Sequence, residues 1–326
     1  MLKLEQTKVK QILANINKQK VAVIGDVMLD RYFWGNVSRV SPEAPVPVVD
    51  VEKESFHLGG AANVAQNLSS LGITPILFGV LGEDEPAKIF IERCKANGIS
   101  PTGLLKDKNR ITTVKTRVIG NNQQIVRIDS EVRREISEEE IKTILKRIKN
   151  IRNLEGIIFE DYDKGTINES LITKIVEFSN EKRIPIFVDP KFDNFLKYKD
   201  VTLFKPNRRE TEEGLGINLD SYEKIQEAGK TLIDKLNAKN VLITLGADGM
   251  VLFEENGDSF SIPTVARKIA DVSGAGDTAI ATFATMLIAG ANYKESAILA
   301  NLASGNVCEK PGIVAIRAPE LLEAIE

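Results

Sequence analysis

The stretch Asp271-Val-Ser-Gly-Ala-Gly-Asp277 leads directly into Thr278-Ala-Ile-Ala-Thr-Phe-Ala-Thr-Met-Leu-Ile-Ala289. The second part is small, apolar and free of proline, which predicts a helix that is buried on most of its faces. The glycines before it allow a tight turn, so the unpaired N–H groups and the dipole at the helix start offer a seat for an anion. Asp277 falls in the first helical turn, where a carboxylate is stabilised in its ionised form.

Amide donors beside an ionised base are what a phosphoryl transfer to a hydroxyl group requires. The donors stabilise the charge on the transferred group, and the base accepts the hydroxyl proton. The alternative is an ordinary N-terminal carboxylate on a core helix. The residues Gly-Ala-Gly-Asp alone favour that alternative, because so short a match is weak. Other motifs in the chain are therefore needed to distinguish a phosphoryl-transfer site from an ordinary helix start.

Length and composition describe an ordinary globular protein, with 326 residues, 43% apolar and 27% charged. A net charge of −3 gives no reason to expect a nucleic acid or an anionic membrane as partner. The start lacks the apolar core of a signal peptide, and the run 278–291 is too short to span a bilayer. Two distant cysteines, Cys94 and Cys308, favour a reducing cytoplasm. The single histidine, His57, excludes a mechanism that needs a histidine pair.

Helices and strands are predicted to alternate along most of the chain. Predicted helices cover residues 5–18, 85–97, 137–150, 167–182, 221–237 and 294–309. Predicted strands cover residues 20–25, 74–82, 156–161, 185–191, 201–204 and 240–246, with a hairpin over 249–263. This alternation predicts an α/β fold with a doubly wound, mainly parallel sheet. Ligands of such sheets bind beyond the carboxyl ends of the strands, where polar residues recur at Asp26, Asp161, Asp189, Asn207 and Thr244.

Two segments break the alternation and predict a small antiparallel β lid, at about 31–58 and 110–130. Valines over 46–51 indicate a short extended strand in the first segment, and the second predicts a hairpin that turns at 120–122. Lys115 and Arg117 share one face of the first arm, and Arg127 lies on the return arm. These cations predict a grip on a phosphate that the substrate already carries. A solvated strand edge explains them equally well.

The helix between the lid segments opens with Leu58-Gly-Gly-Ala-Ala-Asn63. Bare glycine backbone and one side-chain amide suit a close approach to sugar hydroxyls, which need both donors and acceptors. The same lid presents an exposed edge and the aromatic residues Tyr32, Phe33 and Trp34. These features predict a homodimer that forms lid to lid.

These motifs together resemble the ribokinase-like carbohydrate kinases. Gly59, Gly60 and Asn63 near the start match that family, as does the glycine loop with Asp277 near the end. Asn207-Arg-Arg-Glu210 is similar to its N-x-x-E motif, and Thr244-Leu-Gly246 with Gly249 is similar to its nucleotide-binding turn. The resemblance covers essentially the whole chain. It implies one kinase domain over 1–326, with the lid segments inserted.

A narrower resemblance is to the bacterial heptose-7-phosphate kinases. It is carried by the strings Gly25-Asp-Val-Met-Leu-Asp-Arg-Tyr32, Ser38-Arg-Val-Ser-Pro-Glu-Ala-Pro-Val-Pro-Val-Val49, Asn122-Gln-Gln-Ile-Val-Arg-Ile-Asp129 and Asp161-Tyr-Asp-Lys-Gly165. It implies ATP-dependent phosphorylation of the anomeric (C1) hydroxyl of D-glycero-D-manno-heptose 7-phosphate, which leads to the ADP-heptose of lipopolysaccharide. Many such kinases are fused to a nucleotidyltransferase domain with paired histidines. We expect that second activity to be absent here.

The family resemblance also implies the roles of individual residues. Asp277 is the expected base, and the backbone of Gly274, Ala275 and Gly276 is the expected anion hole. Asn207 and Glu210 are expected to place Mg²⁺ through water around the ATP phosphates. The residues expected on the nucleotide side are Thr244, Gly246, Gly249 and Asn301. Those expected to hold the sugar are Asp26, Asp30, Gly59, Gly60, Asn63 and Asp161.

The resemblance implies roles for three further positions, Lys191, Asp271 and Ser273. Lys191 is expected near the 7-phosphate with the lid cations, although a solvated loop lysine is the alternative. Asp271 and Ser273 match positions that bind a monovalent cation in some family members, so K⁺ is a further expected ion. Ser273 stands where threonine is commoner, and the hydroxyl is kept.

Two other functions compete with the heptose kinase. The first is another sugar or nucleoside kinase of the same fold, against which the string 38–49 argues. The second is a non-catalytic regulator that binds a sugar or a nucleotide, against which the intact Asp277 argues. The sequence argues against a dinucleotide-dependent dehydrogenase, because no G-x-G-x-x-G follows the first strand.

Overall fold

The computed structural model describes residues 4–16, 19–264, 270–310 and 312–325. The helices are α1 Gln6–Ala14, α2 Ala61–Ser70, α3 Glu85–Ala96, α4 Glu138–Lys149, α5 Glu169–Lys182, α6 Arg208–Leu215, α7 Tyr222–Leu236, α8 Ala275–Ile288, α9 Tyr293–Cys308 and α10 Ala318–Glu323. The strands are β1 Lys20–Gly25, β2 Val27–Val40, β3 Pro47–Gly60, β4 Thr74–Phe78, β5 Val80–Leu81, β6 Leu105–Lys106, β7 Thr113–Gly120, β8 Gln123–Ser130, β9 Leu154–Glu160, β10 Ile186–Asp189, β11 Leu203–Phe204, β12 Asn240–Thr244, β13 Met250–Glu254 and β14 Ser259–Ile262.

The main sheet has the strand order β14-β13-β12-β11-β10-β9-β1-β4. Within this order, β4, β1, β9, β10, β11 and β12 pair in parallel, and β13 and β14 add an antiparallel hairpin at one edge. Ala22 and Ile24 of β1 pack into a core with α4, α5 and α7, while Val21 and Val23 pack with α2, α8 and α9 on the other face. Helices cover both faces, which is why β1 is an unbroken apolar run. The predicted α/β class with a mainly parallel sheet is confirmed.

A second sheet, in the order β3-β2-β7-β8, forms the lid. Its two hairpins are antiparallel, and the second turns where predicted, at Asn121 and Asn122, which have φ values of 52° and 64°. The prediction of a wholly antiparallel lid is wrong, because β2 and β7 pair in parallel. The short strand predicted near 46–51 is part of β3, which has fourteen residues, and β2, also of fourteen residues, was not predicted.

Several predicted boundaries also shift. The leading helix ends at Ala14, and residues 17 and 18 of the predicted range lie outside the described residues. The strand predicted over 74–82 is interrupted at Gly79 and becomes β4 and β5, and the one over 201–204 keeps only β11. Helices α6 and α10 were not predicted. No helix in the described part of the chain combines the length and the apolar character needed to cross a bilayer.

The carboxyl ends of the parallel strands carry the polar rim that the sequence predicts. Asp26 follows β1, β10 ends at Asp189, and Asn207 forms a parallel bridge with Thr244 at the end of β12. Because β1, β9, β10, β11 and β12 are neighbours, these positions line one edge of the sheet. The lid strands β2 and β3 meet the body beside that edge, since Val27 pairs with Gly60. A crevice between the lid and the strand ends is therefore the expected location of a ligand-binding site.

Candidate active site

Asp277 lies at the start of α8, as predicted, and its side chain is buried at 5% exposure. Gly274 caps the helix with a φ of 81°. A Cβ atom at this position would lie 2.7 Å from Nδ2 of Asn63, so glycine is needed both for the backbone conformation and for the close approach of α2. The N–H of Ala275 donates to the carbonyl of Val272 at 3.3 Å. The N–H groups that follow at a helix start lack an intrahelical acceptor, which is the arrangement that favours an anion.

The carboxylate of Asp277 is held by two donors from distant parts of the chain. Nδ2 of Asn63 donates to Oδ2 at 2.7 Å, and the hydroxyl of Tyr162 donates to Oδ1 at 3.2 Å. Burial raises the pKa of Asp277 to about 6, and the hydrogen bond from Asn63 opposes this shift. A carboxyl group with this pKa is mostly ionised at neutral pH and remains close enough to accept a proton, which suits a general base.

Two further carboxyl groups lie beside Asp277. Oxygens of Glu160, Asp189 and Asp277 all lie within 4.8 Å of one another, and Nζ of Lys205 is 2.7 Å from Oδ2 of Asp189. Burial and the charge of Asp189 raise the pKa of Glu160 well above its usual value. Oε2 of Glu160 is buried without a hydrogen-bond partner among the described residues. A proton on Glu160, or a cation near it, would satisfy this atom.

A cavity of about 500 Å³ adjoins the start of α8. The residues predicted for the nucleotide side converge on it, together with the helix start: Asn207, Thr244, Gly246, Gly249, Asn301, Ala275 and Gly276. The side chain of Asn301 donates to the carbonyl of Pro263 at 2.9 Å, and the hydroxyl of Ser304 donates to the carbonyl of Ala275 at 3.0 Å. Helix α9 thus fixes the wall of the cavity against the glycine loop.

The N-x-x-E motif forms a capping box at the start of α6. Oδ1 of Asn207 accepts from the backbone N–H of Glu210 at 2.9 Å, and the N–H of Asn207 donates to Oε2 of Glu210 at 2.8 Å. The other oxygen of Glu210 accepts from Lys191. Lys191 therefore lies beside the motif, with its Nζ 5.3 Å from the ring centre of Tyr162. Both carboxylate oxygens of Glu210 thus have protein partners, which leaves room for Mg²⁺ through bound water rather than by direct ligation, and this role stays a prediction.

The acids predicted to hold the sugar have protein partners in this structure. Oxygens of Asp26 accept from the backbone N–H groups of residues 162, 164 and 166 at 2.9–3.0 Å. Asp161 accepts from the hydroxyl of Tyr198 at 2.6 Å and from Asn194 at 3.0 Å, and burial raises its pKa to about 6. Asp26 and Asp161 thus hold the loop after β9. Their roles as sugar ligands stay predictions.

The remaining sugar-side residues lie where the lid meets the body. Asp30 is buried and pairs with Arg117 from β7. A Cβ atom on Gly59 would lie 2.2 Å from Oδ2 of Asp30, and one on Gly60, where φ is 57°, would lie 2.4 Å from the carbonyl of Asp26. The two glycines therefore let β3 pass closely over the two acids.

The other lid cations also have carboxylate neighbours. Lys115 lies 3.3 Å from Asp129 and 3.6 Å from Glu131, and Nε of Arg127 lies 2.9 Å from Asp129. Lys115, Arg117 and Arg127 share one face of the lid sheet, because Arg117 is directly opposite Arg127 in the register.

The carboxylate of Asp271 holds the loop that precedes α8. Asp271 accepts from the N–H of Ser273 at 2.9 Å and from the N–H of Gly312 at 3.2 Å. This arrangement keeps carboxylate and hydroxyl oxygens beside the helix start, where the sequence predicts a monovalent cation.

Three residues of the site were not singled out from the sequence: Tyr162, Glu160 and Lys205. The polar rim at the strand ends was the available signal, since Glu160 ends β9 and Lys205 follows β11. Tyr162 lies within the string 161–165 that resembles the heptose kinases. The sequence predicts Asp161 as the site residue of this string, whereas its neighbours Glu160 and Tyr162 are the residues that lie next to Asp277.

The α/β body, the lid and a buried carboxylate at an anion-binding helix start define a kinase of small hydroxylated substrates. The chain belongs to the pfkB family of carbohydrate kinases, whose model matches residues 18–320. It is therefore a phosphotransferase that acts on a sugar hydroxyl group. Kinases of this family use ATP, normally with Mg²⁺.

Known proteins agree with this assignment. The chain is 42% identical over 303 residues to the bifunctional protein HldE of Desulfatibacillum aliphaticivorans, covering 93% of this chain and 62% of that protein. Among solved structures, Arabidopsis thaliana ribokinase complexed with ribose and ATP matches with a TM-score of 0.74 at 19% identity, covering 95% of this chain and 99% of that one. Escherichia coli phosphofructokinase-2 in complex with potassium matches with a TM-score of 0.80 at 16% identity. That match covers 95% of this chain and 98% of the other. The chain spans 62–66% of the length of the curated relatives it matches.

We predict that Asp277→Asn keeps the fold and ATP binding but lowers kcat by about 10²–10⁴-fold, because an amide cannot accept the hydroxyl proton. Steady-state kinetics and an ATP titration of the same sample measure both effects. Asp258→Asn, in the exposed turn between β13 and β14, is the matched acid-to-amide control. A near-wild-type kcat for Asp277→Asn would remove this residue from the mechanism.

Proposed function

We propose that the chain transfers the γ-phosphoryl group of ATP to the anomeric (C1) hydroxyl of D-glycero-D-manno-heptose 7-phosphate. The product is the 1,7-bisphosphate, a precursor of ADP-heptose. The buried Asp277 beside the helix start carries the kinase assignment. The heptose assignment is supported by the resemblance of the string 38–49 and by 36–42% identity to proteins named HldE. Those proteins are longer than this chain, so only a kinase activity is proposed.

In this mechanism Asp277 accepts the proton of the C1 hydroxyl while its oxygen attacks the γ-phosphorus. The N–H groups of the turn 274–276 stabilise the negative charge of the transferred group. Mg²⁺ neutralises the ATP phosphates when it is bound, and Asn207 and Glu210 would hold its water ligands. Oxygens of Asp271 and Ser273 would support a K⁺ ion beside the turn. The potassium complex of phosphofructokinase-2 supports this expectation.

The 7-phosphate would bind at the shared face of Lys115, Arg117 and Arg127. Each of these cations already lies against a carboxylate of the lid or the body. A phosphate offers stronger acceptors and more charge than a carboxylate, so it could replace Asp129 as the partner of Arg127. Lys191 is the alternative phosphate contact, and its pairing with Glu210 sets it nearer to the nucleotide side.

The substrate is tested by measuring ADP release with heptose 7-phosphate, ribose, fructose 6-phosphate and adenosine side by side. We expect kcat/KM for heptose 7-phosphate to exceed that for ribose and for adenosine by at least about 10²-fold, because a site built around a phosphate discriminates strongly against compounds that lack one. It should also exceed kcat/KM for fructose 6-phosphate. A higher kcat/KM for any other compound would replace the heptose assignment and leave the carbohydrate kinase in place. No turnover of any sugar would favour a binding-only protein.

We predict that Arg127→Ala raises KM for heptose 7-phosphate by about 10–100-fold, the usual effect of losing one charge-assisted hydrogen bond. KM for ATP should change little, because Arg127 does not line the cavity of the nucleotide side. Arg117→Ala should act in the same direction, but it also leaves the buried Asp30 unpaired. Arg93→Ala on the exposed face of α3 serves as the control. Equal effects of Arg127→Ala on both KM values would discard the phosphate role.

We also propose that the lid mediates a homodimer. The register places apolar side chains of all four lid strands on the face opposite Asp30 and Tyr32: Phe33, Phe56, Val118, Val126 and Ile128. Val126 and Ile128 are 45% and 56% exposed. Of the three aromatic residues expected there, only Phe33 lies on this outer face, because Tyr32 and Trp34 stack on the inner one. An exposed apolar sheet face of this kind is typical of an interface.

Light scattering coupled to size-exclusion chromatography should give a dimer for the wild type and a monomer for Ile128→Glu, because a buried unpaired charge would be costly. Ile217→Glu changes a similarly exposed isoleucine outside the lid and should leave the dimer intact. A monomeric wild type would contradict the proposal, as would dissociation by both variants.

A further inference from the structure

The hydroxyl of Tyr162 is one of only two side-chain donors that contact the Asp277 carboxylate among the described residues. Tyr162 itself is held by the body, since its backbone N–H donates to Oδ2 of Asp26 at 2.9 Å. Asp26 also accepts from the N–H groups of residues 164 and 166, so one buried carboxylate secures the whole turn. The result is a continuous path of hydrogen bonds from β1, through the turn after β9, to the base on α8.

The chemistry of Tyr162 limits what it can do. Burial raises the pKa of Tyr162 well above its usual value, so it stays a neutral hydroxyl and donates to Asp277. An ionised carboxylate offers about four acceptor positions. With Asn63 on one oxygen and Tyr162 on the other, the carboxylate cannot rotate freely, and positions remain for the hydroxyl of a substrate.

We propose that Tyr162 is a positioning residue for the base, and that Asp26 acts through it by holding the turn that carries it. The inference rests on the proposed role of Asp277 as the base, and it does not depend on which sugar is phosphorylated. It gives Asp26 a role different from the sugar contact that the sequence predicts. It also explains why a tyrosine follows the acid in the string 161–165, where a sugar ligand alone would not require an aromatic residue.

The groups that face Asp277 determine the sign of the expected pH effect. Burial and Asp189 raise the pKa of Asp277, while Asn63, Lys205 and Tyr162 lower it. Glu160 lies in the same cluster. The reaction requires the ionised carboxylate, so kcat of the wild type should fall below about pH 6. Loss of the Tyr162 hydroxyl removes a stabilising donor, and the acidic limb of the profile should therefore move to higher pH.

The decisive variant is Tyr162→Phe, which keeps the ring and removes only the donor. We expect the acidic limb of kcat to move up by about one pH unit, as the loss of one hydrogen bond to a charged group predicts. At pH 7 this shift lowers the ionised fraction of Asp277 from about nine-tenths to about one-half, so kcat should fall by about 2-fold. Tyr198→Phe is the matched control, because its hydroxyl contacts Asp161 in the same turn and does not contact Asp277. Its acidic limb should stay at the wild-type pH.

A direct titration separates this inference from the choice of substrate. The ¹³C resonance of the Asp277 carboxyl, assigned by its loss in Asp277→Asn, should titrate at higher pH in Tyr162→Phe than in the wild type, with no sugar present. Asp26→Asn, which weakens the hold on the turn, should shift it in the same direction. An unchanged midpoint in Tyr162→Phe, or an equal shift in Tyr198→Phe, would overturn the proposal even if heptose 7-phosphate proves to be the substrate.

Discussion

The burial of one carboxylate, that of Asp277, is the constraint on which the site depends. An ionised carboxylate in a protein interior is costly unless donors replace its water. Here the donors are the amide of Asn63 on α2 and the hydroxyl of Tyr162 after β9. Their approach in turn requires the glycine at 274 and a turn secured by Asp26. Residues that are far apart in the chain thus contact or support the same carboxylate.

The groups around Asp277 leave this carboxyl group with a pKa of about 6, which suits a proton acceptor. Glu160, Asp189 and Asp277 form a close group, and Lys205 is paired with Asp189. Like charges in so small a space cannot all ionise easily. Burial and the charge of Asp189 raise the pKa of Glu160 well above its usual value, while Asp277 has two donors and a pKa of about 6. Two chemically similar acids thereby differ in pKa because their surroundings differ.

The proposed catalytic groups and the string that resembles the heptose kinases lie in different parts of the molecule. The proposed base and anion site belong to the strand ends and α8. The string 38–49, which resembles the heptose kinases most specifically, spans the turn between β2 and β3 at the outer end of the lid. Val40 and Val46 within it are 65% and 51% exposed. Neither of the two side-chain donors to the Asp277 carboxylate in the described part of the chain belongs to this string.

The local pattern of residues was enough to predict the α/β alternation, the second lid hairpin, the polar strand ends and the helix that starts beside Asp277. Each of these depends on the burial or the turn preference of a few neighbouring residues. The parallel pairing of β2 with β7, the contact of Tyr162 with Asp277 and the grouping of Glu160 with Lys205 could not be predicted in this way. Partners such as Asn63 and Asp277 are 214 residues apart, and only the packing of the whole chain brings them within hydrogen-bonding distance.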